Sequence, residues 1–123
     1  MVDRWNLLKD VKWITDDTLE AQIYVPNDSV WFAGHFPGEP ILPGIALVHL
    51  ACEAILKEAE NKGESVKISF LKRVRFTGPV RPGDTLLLSL SREDGNMEKI
   101  YNFKTAVREK VICSGQVAVA KNT

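Results

Sequence analysis

One segment narrows the choice of fold more than any other. From residue 43 to about residue 61 nothing breaks a helix except Gly44 at its start, and a proline such as Pro43 is tolerated in a first turn. The first half (Ile45, Ala46, Leu47, Val48, Leu50, Ala51) is apolar on every side, with His49 its only polar residue. A helix of that kind has protein all round it. The second half turns amphipathic through Glu53, Lys57, Glu58 and Glu60, and Asn61-Lys62-Gly63 supplies a stop. At 123 residues the chain is expected to form a single domain, 1–123, so the cover for this helix must come from its other segments or from a second copy.

Those other segments read as strands. Residues 11–14 and 19–25 form a hairpin about Thr15-Asp16-Asp17-Thr18, with Ala21, Ile23 and Val25 alternating against polar neighbours. After the helix, Ile68, Phe70, Val74 and Phe76 alternate in one run. Leu86, Leu88 and Leu90 alternate in the next, which follows the turn Arg81-Pro82-Gly83-Asp84. Tyr101, Phe103, Thr105 and Val107 make a third run, and Val111, Cys113, Gly115, Val117 and Val119 a fourth. One buried helix and a run of antiparallel strands have one economical arrangement, an α+β fold with the sheet curled around the helix. A single short sheet cannot enclose a helix, so a second copy is expected to close the structure.

Charge and composition exclude several classes. Sixteen basic residues balance sixteen acidic ones, so no bulk field gathers nucleic acid. No apolar run approaches the roughly 18 residues of a membrane span, and the first ten residues are too charged for a secretory signal. Cys52 and Cys113 have neither the number nor the spacing of a disulfide framework or a zinc site, and both are expected to be small buried apolar residues. A cytoplasmic setting, no metal and no membrane contact are the resulting expectations.

Residues 30–44 carry the chemistry. Gly34, Gly38 and Gly44 with Pro37, Pro40 and Pro43 forbid a regular element and make a stiff loop that runs straight into the helix. His35 stands in it between a glycine and an aromatic residue. Histidine suits proton abstraction near neutral pH, and the helix N-terminus brings free N–H groups and partial positive charge that stabilise an oxyanion. Gly44 lets a carbonyl approach the backbone. Base plus oxyanion site describes chemistry at the carbon next to a thioester carbonyl; a structural loop histidine is the alternative. Phe32 and Phe36 flank the histidine as candidate walls of an acyl tunnel, whereas Trp31 fits core packing equally well.

The run Gly-His-Phe-Pro-Gly-x-Pro-Ile-Leu-Pro-Gly at residues 34–44 resembles the β-hydroxyacyl-acyl-carrier-protein dehydratase family, and so does Arg75-Phe76-Thr77-Gly78-Pro79-Val80-Arg81-Pro82-Gly83-Asp84. The resemblance implies a hotdog fold, a homodimer, no cofactor, and a 3-hydroxyacyl thioester carried by acyl carrier protein or coenzyme A. It implies that His35 is the catalytic base, that the Gly44 N–H polarises the thioester carbonyl, and that the Ile41 carbonyl orients the histidine ring. The family's second catalytic group is a Glu or Asp on the central helix, fourteen positions after the histidine and supplied by the partner subunit. Here that position holds His49.

An imidazolium can hand a proton to a departing hydroxyl, as a carboxylic acid can. Burial disfavours the charged form, and a neighbouring carboxylate such as Glu53, one turn on, favours it. Glu53 also suits a surface pair with Lys57. Three functions remain open: a dehydratase with His49 as proton donor; a hotdog thioesterase, for which Glu53 is the nearby helix carboxylate; and a non-catalytic acyl- or carrier-binding subunit. From Ser65 to Gly83 there are five basic residues (Lys67, Lys72, Arg73, Arg75, Arg81) and no acid. They suit an acidic carrier protein, or else a solvated strand face on which Lys67, Arg73 and Arg75 fall by parity.

Overall fold

A computed structural model describes residues 12–15, 17–26, 42, 44–94 and 99–121. Its elements are β1 (Lys12–Trp13), β2 (Thr18–Tyr24), α1 (Gly44–Asn61), β3 (Val66–Phe76), β4 (Thr85–Asp94), β5 (Lys99–Val107) and β6 (Lys110–Lys121). All the strands join one antiparallel sheet in the order β1-β2-β4-β5-β6-β3. The last strands therefore lie between β4 and β3, and β3 stands at an edge of the sheet.

Alternation decides which side of each strand meets the helix. Leu19, Ala21 and Ile23 of β2, Leu86, Leu88 and Leu90 of β4, and Tyr101, Phe103 and Thr105 of β5 are all buried. They form one core with Ala46, Leu47, Leu50, Ala51, Ala54 and Ile55 of the helix. Gly115 makes room in the floor of this core: a Cβ there would lie 2.9 Å from the Phe103 ring and 3.1 Å from Val74. Gly115→Ala should therefore overpack the core and lower stability by about 1–3 kcal/mol, read from the denaturation midpoint.

Local chemistry sets the element ends. At the helix C-terminus Gly63 takes φ 73; its N–H donates to Glu60 O (3.0 Å), and the Glu64 N–H donates to Ala59 O (2.8 Å). That paired closure is a Schellman motif and satisfies the last carbonyls. The β5–β6 hairpin turns on Arg108 (φ 52) and Glu109 (φ 69), the conformation a two-residue connection needs to follow the strand twist, here without glycine.

Two expectations about the strands need correction, whereas the helix is left partly open by its own sheet, as expected: Ile45 is 62% exposed. One sheet covers one side of a helix, and the opposite face is left open. Strict alternation fails in β3, because register shifts fall between Ile68 and Phe70 and between Lys72 and Arg75. Phe70 pairs with Ala118 on the outer face, where the Lys72 ammonium sits 4.9 Å from the ring centroid, and Leu71 takes the inner position opposite Val117. Arg73 falls in the second irregularity at φ 55, so the outer basic series is Lys67, Lys72 and Arg75. In β6 the extra residue is Ile112, which is buried, while Val111 pairs with Ala106 and is 43% exposed.

Candidate active site

The two sequence motifs meet at the start of α1. The Leu42 N–H donates to the Val80 carbonyl at 2.7 Å, which ties the end of the first motif to the second. Beyond Val80 the Arg81–Asp84 turn is closed by the Asp84 N–H on Arg81 O (3.1 Å) and by the Asp84 carboxylate accepting from the Arg81 N–H (2.8 Å). That turn is held in place by β2: Val25 N–H donates to Asp84 O (2.9 Å) and Gly83 N–H to Val25 O (2.8 Å). The helix start, the end of β2 and the segment after β3 are thus one hydrogen-bonded unit.

Gly44 opens the helix with the Phe76 ring against it. A Cβ on Gly44 would lie 2.8, 2.9 and 3.0 Å from three carbons of that ring, so any side chain there would have to displace the ring. The first N–H groups of a helix have no partner within it, and the first turn of α1 carries no acidic side chain to compete for them. This terminus is electrostatically suited to a developing negative charge. Beneath it, register links Ala21, Leu88, Thr105, Cys113 and Phe76 into one row across the inner face. Burial pushes the Cys113 thiol up to about 11, which leaves it neutral and unreactive at physiological pH.

His49 does not belong to the face of α1 that packs on its own sheet. Ile45, His49, Cys52, Glu53 and Leu56 form the opposite face, all partly or fully exposed, whereas Ala46, Leu47, Leu50, Ala51, Ala54 and Ile55 line the core. His49 Nε2 is nonetheless shielded from solvent. Glu53 stands one turn beyond His49 on this face, as its spacing requires. Cys52 is only half-buried, against expectation, because it belongs to the same uncovered face; burial first and Glu53 second raise its thiol pKa.

His35, Ile41, Phe32, Phe36 and Trp31 lie outside the described residues. The structure brings Gly44 together with Phe76, which sequence reasoning treated as one more alternating strand residue. Its place in the second motif, directly before Thr77-Gly78-Pro79, was the available signal. A groove of about 460 Å³ lined by Lys12, Ile14, Glu20, Ala21, Gln22 and Leu87 lies near β1, away from the helix start.

A curled antiparallel sheet around one helix is the hotdog fold. The dehydratase heterocomplex ApeI:P from Xenorhabdus doucetiae superposes with a TM-score of 0.75 at 15% identity, over 100% of this chain and 87% of that one. The model of the ApeI-like family, described as ApeI dehydratase, matches residues 11–116. The 3-hydroxyacyl-[acyl-carrier-protein] dehydratase FabZ of Levilactobacillus brevis is 34% identical over 93 residues, 71% of this chain; the chain spans 62% of that protein's length. FabZ of Clostridium perfringens is 32% identical over 119 residues, 93% of this chain and 86% of that protein. The chain belongs to the ApeI-like dehydratase family.

Proposed function

We propose that the protein eliminates water from a 3-hydroxyacyl thioester to give a trans-2-enoyl thioester. The observation that carries this reading is the helix start: Gly44, free of acidic neighbours in its turn, stands against Phe76 where two dehydratase-like motifs converge. In the reaction His35 takes a proton from the α-carbon, and the Ile41 carbonyl holds the tautomer that permits it. The charge that develops on the thioester oxygen is met by the Gly44 N–H and the helix dipole. The C–O bond at the β-carbon breaks, and the hydroxyl leaves as water with a proton from the imidazolium of His49. His35 ends protonated, His49 neutral, and solvent resets both. Every step is a proton transfer or a bond cleavage within the substrate, so no cofactor is called for. Phe32 and Phe36 line the acyl tunnel in this reading.

His49 acts across a dimer. Its face of α1 points away from its own sheet, and Ile45 on that helix and Leu71 on β3, both on surfaces that should be interior, are 62% and 42% exposed on one chain. Apolar surface of this kind along an edge strand supports closure by a second copy. Lys67, Lys72, Arg73, Arg75 and Arg81 are all exposed and would steer an acidic carrier protein to the site. Among the described residues no helix is long and apolar enough to cross a membrane, and Cys52 and Cys113 are free thiols, which supports a reducing, cytoplasmic setting.

One assay separates this reading from its rivals. Purified protein given a 3-hydroxyacyl pantetheine thioester should produce enoyl absorbance without free thiol. Thiol release in its place would establish a thioesterase, with Glu53 as the residue to test next. Saturable binding with neither product would establish a binding subunit.

A further inference from the structure

The inner row that runs beneath the helix start is buried from Ala21 to Cys113 and opens only at its last member. Leu88, Thr105 and Cys113 are each 1% exposed, and Phe76 is 52% exposed although it faces the same side. The ring does not owe this exposure to a loose strand end. Directly after it the Thr77 N–H donates to Ile112 O at 2.8 Å, and the Thr77 hydroxyl donates to Val111 O at 3.0 Å. Two hydrogen bonds to β6 therefore fix the height of the Phe76 backbone. One ring edge, Cδ1–Cε1–Cζ, rests on Gly44, and the remaining surface borders open space beside the first turn, where Ile45 is also exposed.

We propose that Phe76 is a substrate-positioning residue: its ring forms the apolar wall that seats the Cα–Cβ segment of an acyl thioester against the Gly44 N–H. This rests on the dehydratase reading and adds a residue to it. The ring does two things at once. It keeps water from the helix start, which strengthens the hydrogen bond to a developing oxyanion. It also gives the first acyl carbons a flat surface, so the carbonyl reaches Gly44 in one orientation. An aliphatic replacement of similar volume keeps the exclusion and loses the flat surface; alanine loses both.

The test compares wild type, Phe76→Leu, Phe76→Tyr and Phe76→Ala. Four readouts are taken: turnover of 3-hydroxybutyryl pantetheine, binding of unreactive butyryl pantetheine by calorimetry, mass by light scattering, and unfolding temperature. Phe76→Ala should lose roughly 10- to 200-fold in kcat/KM, the range expected when an apolar pocket is stripped of part of its wall. Phe76→Leu should recover part of that loss, mainly in KM, and Phe76→Tyr nearly all of it, with mass unchanged throughout. Phe76→Leu carries the argument if Phe76→Ala unfolds. Weakened butyryl pantetheine binding with no wild-type turnover would support the role of Phe76 while refuting the dehydratase reading. Wild-type turnover with unchanged kcat/KM and binding in both Phe76→Leu and Phe76→Ala would overturn the role and leave the dehydratase reading standing. A change in mass with binding per site intact would also overturn it, assigning the ring to a subunit contact.

Discussion

His35→Ala should abolish dehydration, lowering kcat by roughly 10²–10⁴-fold, the span that a positioned base contributes. The α-proton of a thioester is a weak acid, and among the described residues of the helix start none can replace an imidazole as its acceptor. Gly44 offers a hydrogen-bond donor, and Phe76 and Ile45 offer only carbon. The variant should still bind butyryl pantetheine and unfold at the wild-type temperature, because the helix start is held by Leu42–Val80, Val25–Asp84 and Gly83–Val25 hydrogen bonds that do not involve residue 35. Single-turnover measurement of enoyl absorbance is the check. A loss smaller than tenfold would remove His35 from the chemistry.

The second large effect concerns His49. His49→Ala should reduce kcat by roughly 10²-fold or more, since the departing hydroxyl then lacks a proton donor, whereas His49→Glu should retain or raise activity. The two substitutions separate a chemical role from a packing role. Alanine and glutamate both remove the imidazole, but only glutamate restores an acid. Full activity in His49→Ala would refute the donor assignment. Mixing His35→Ala with His49→Ala protein tests whether the two residues meet across subunits, because a mixed dimer regains one intact site.

The helix and the strands were legible in the sequence because period and punctuation agreed. Gly63 stopped α1 where a left-handed residue was required, and Ala21, Ile23, Leu86, Leu88, Tyr101 and Phe103 alternated onto the core. The irregularities in β3 and at Ile112 were not legible, because neither carries a glycine or proline and a one-residue insertion leaves no mark on composition. That the helix would be left partly uncovered was legible; that Ile45 lies on the open face was not, because a sequence shows that a surface is apolar, not which side its own sheet takes. Gly44 was legible as a close-approach position, and its neighbour Phe76 was not, since contacts between distant segments follow from topology. The spacing of His49 and Glu53 fixed their shared helix face, but not that this face turns away from the sheet.

The interruptions in β3 also bear on how many molecules can join. A straight apolar border is a template that copies can extend without end, because each newcomer offers the same border to the next. Past Lys72 the backbone of β3 swings out of line at Arg73, with φ 55, so its row of donors and acceptors is broken there. A strand added at this edge would meet an interrupted ladder there and at the earlier shift between Ile68 and Phe70. In the dimer proposed above, a twofold union through β3 would use that edge in both molecules at once, so the shape of one strand would oppose open-ended polymerisation.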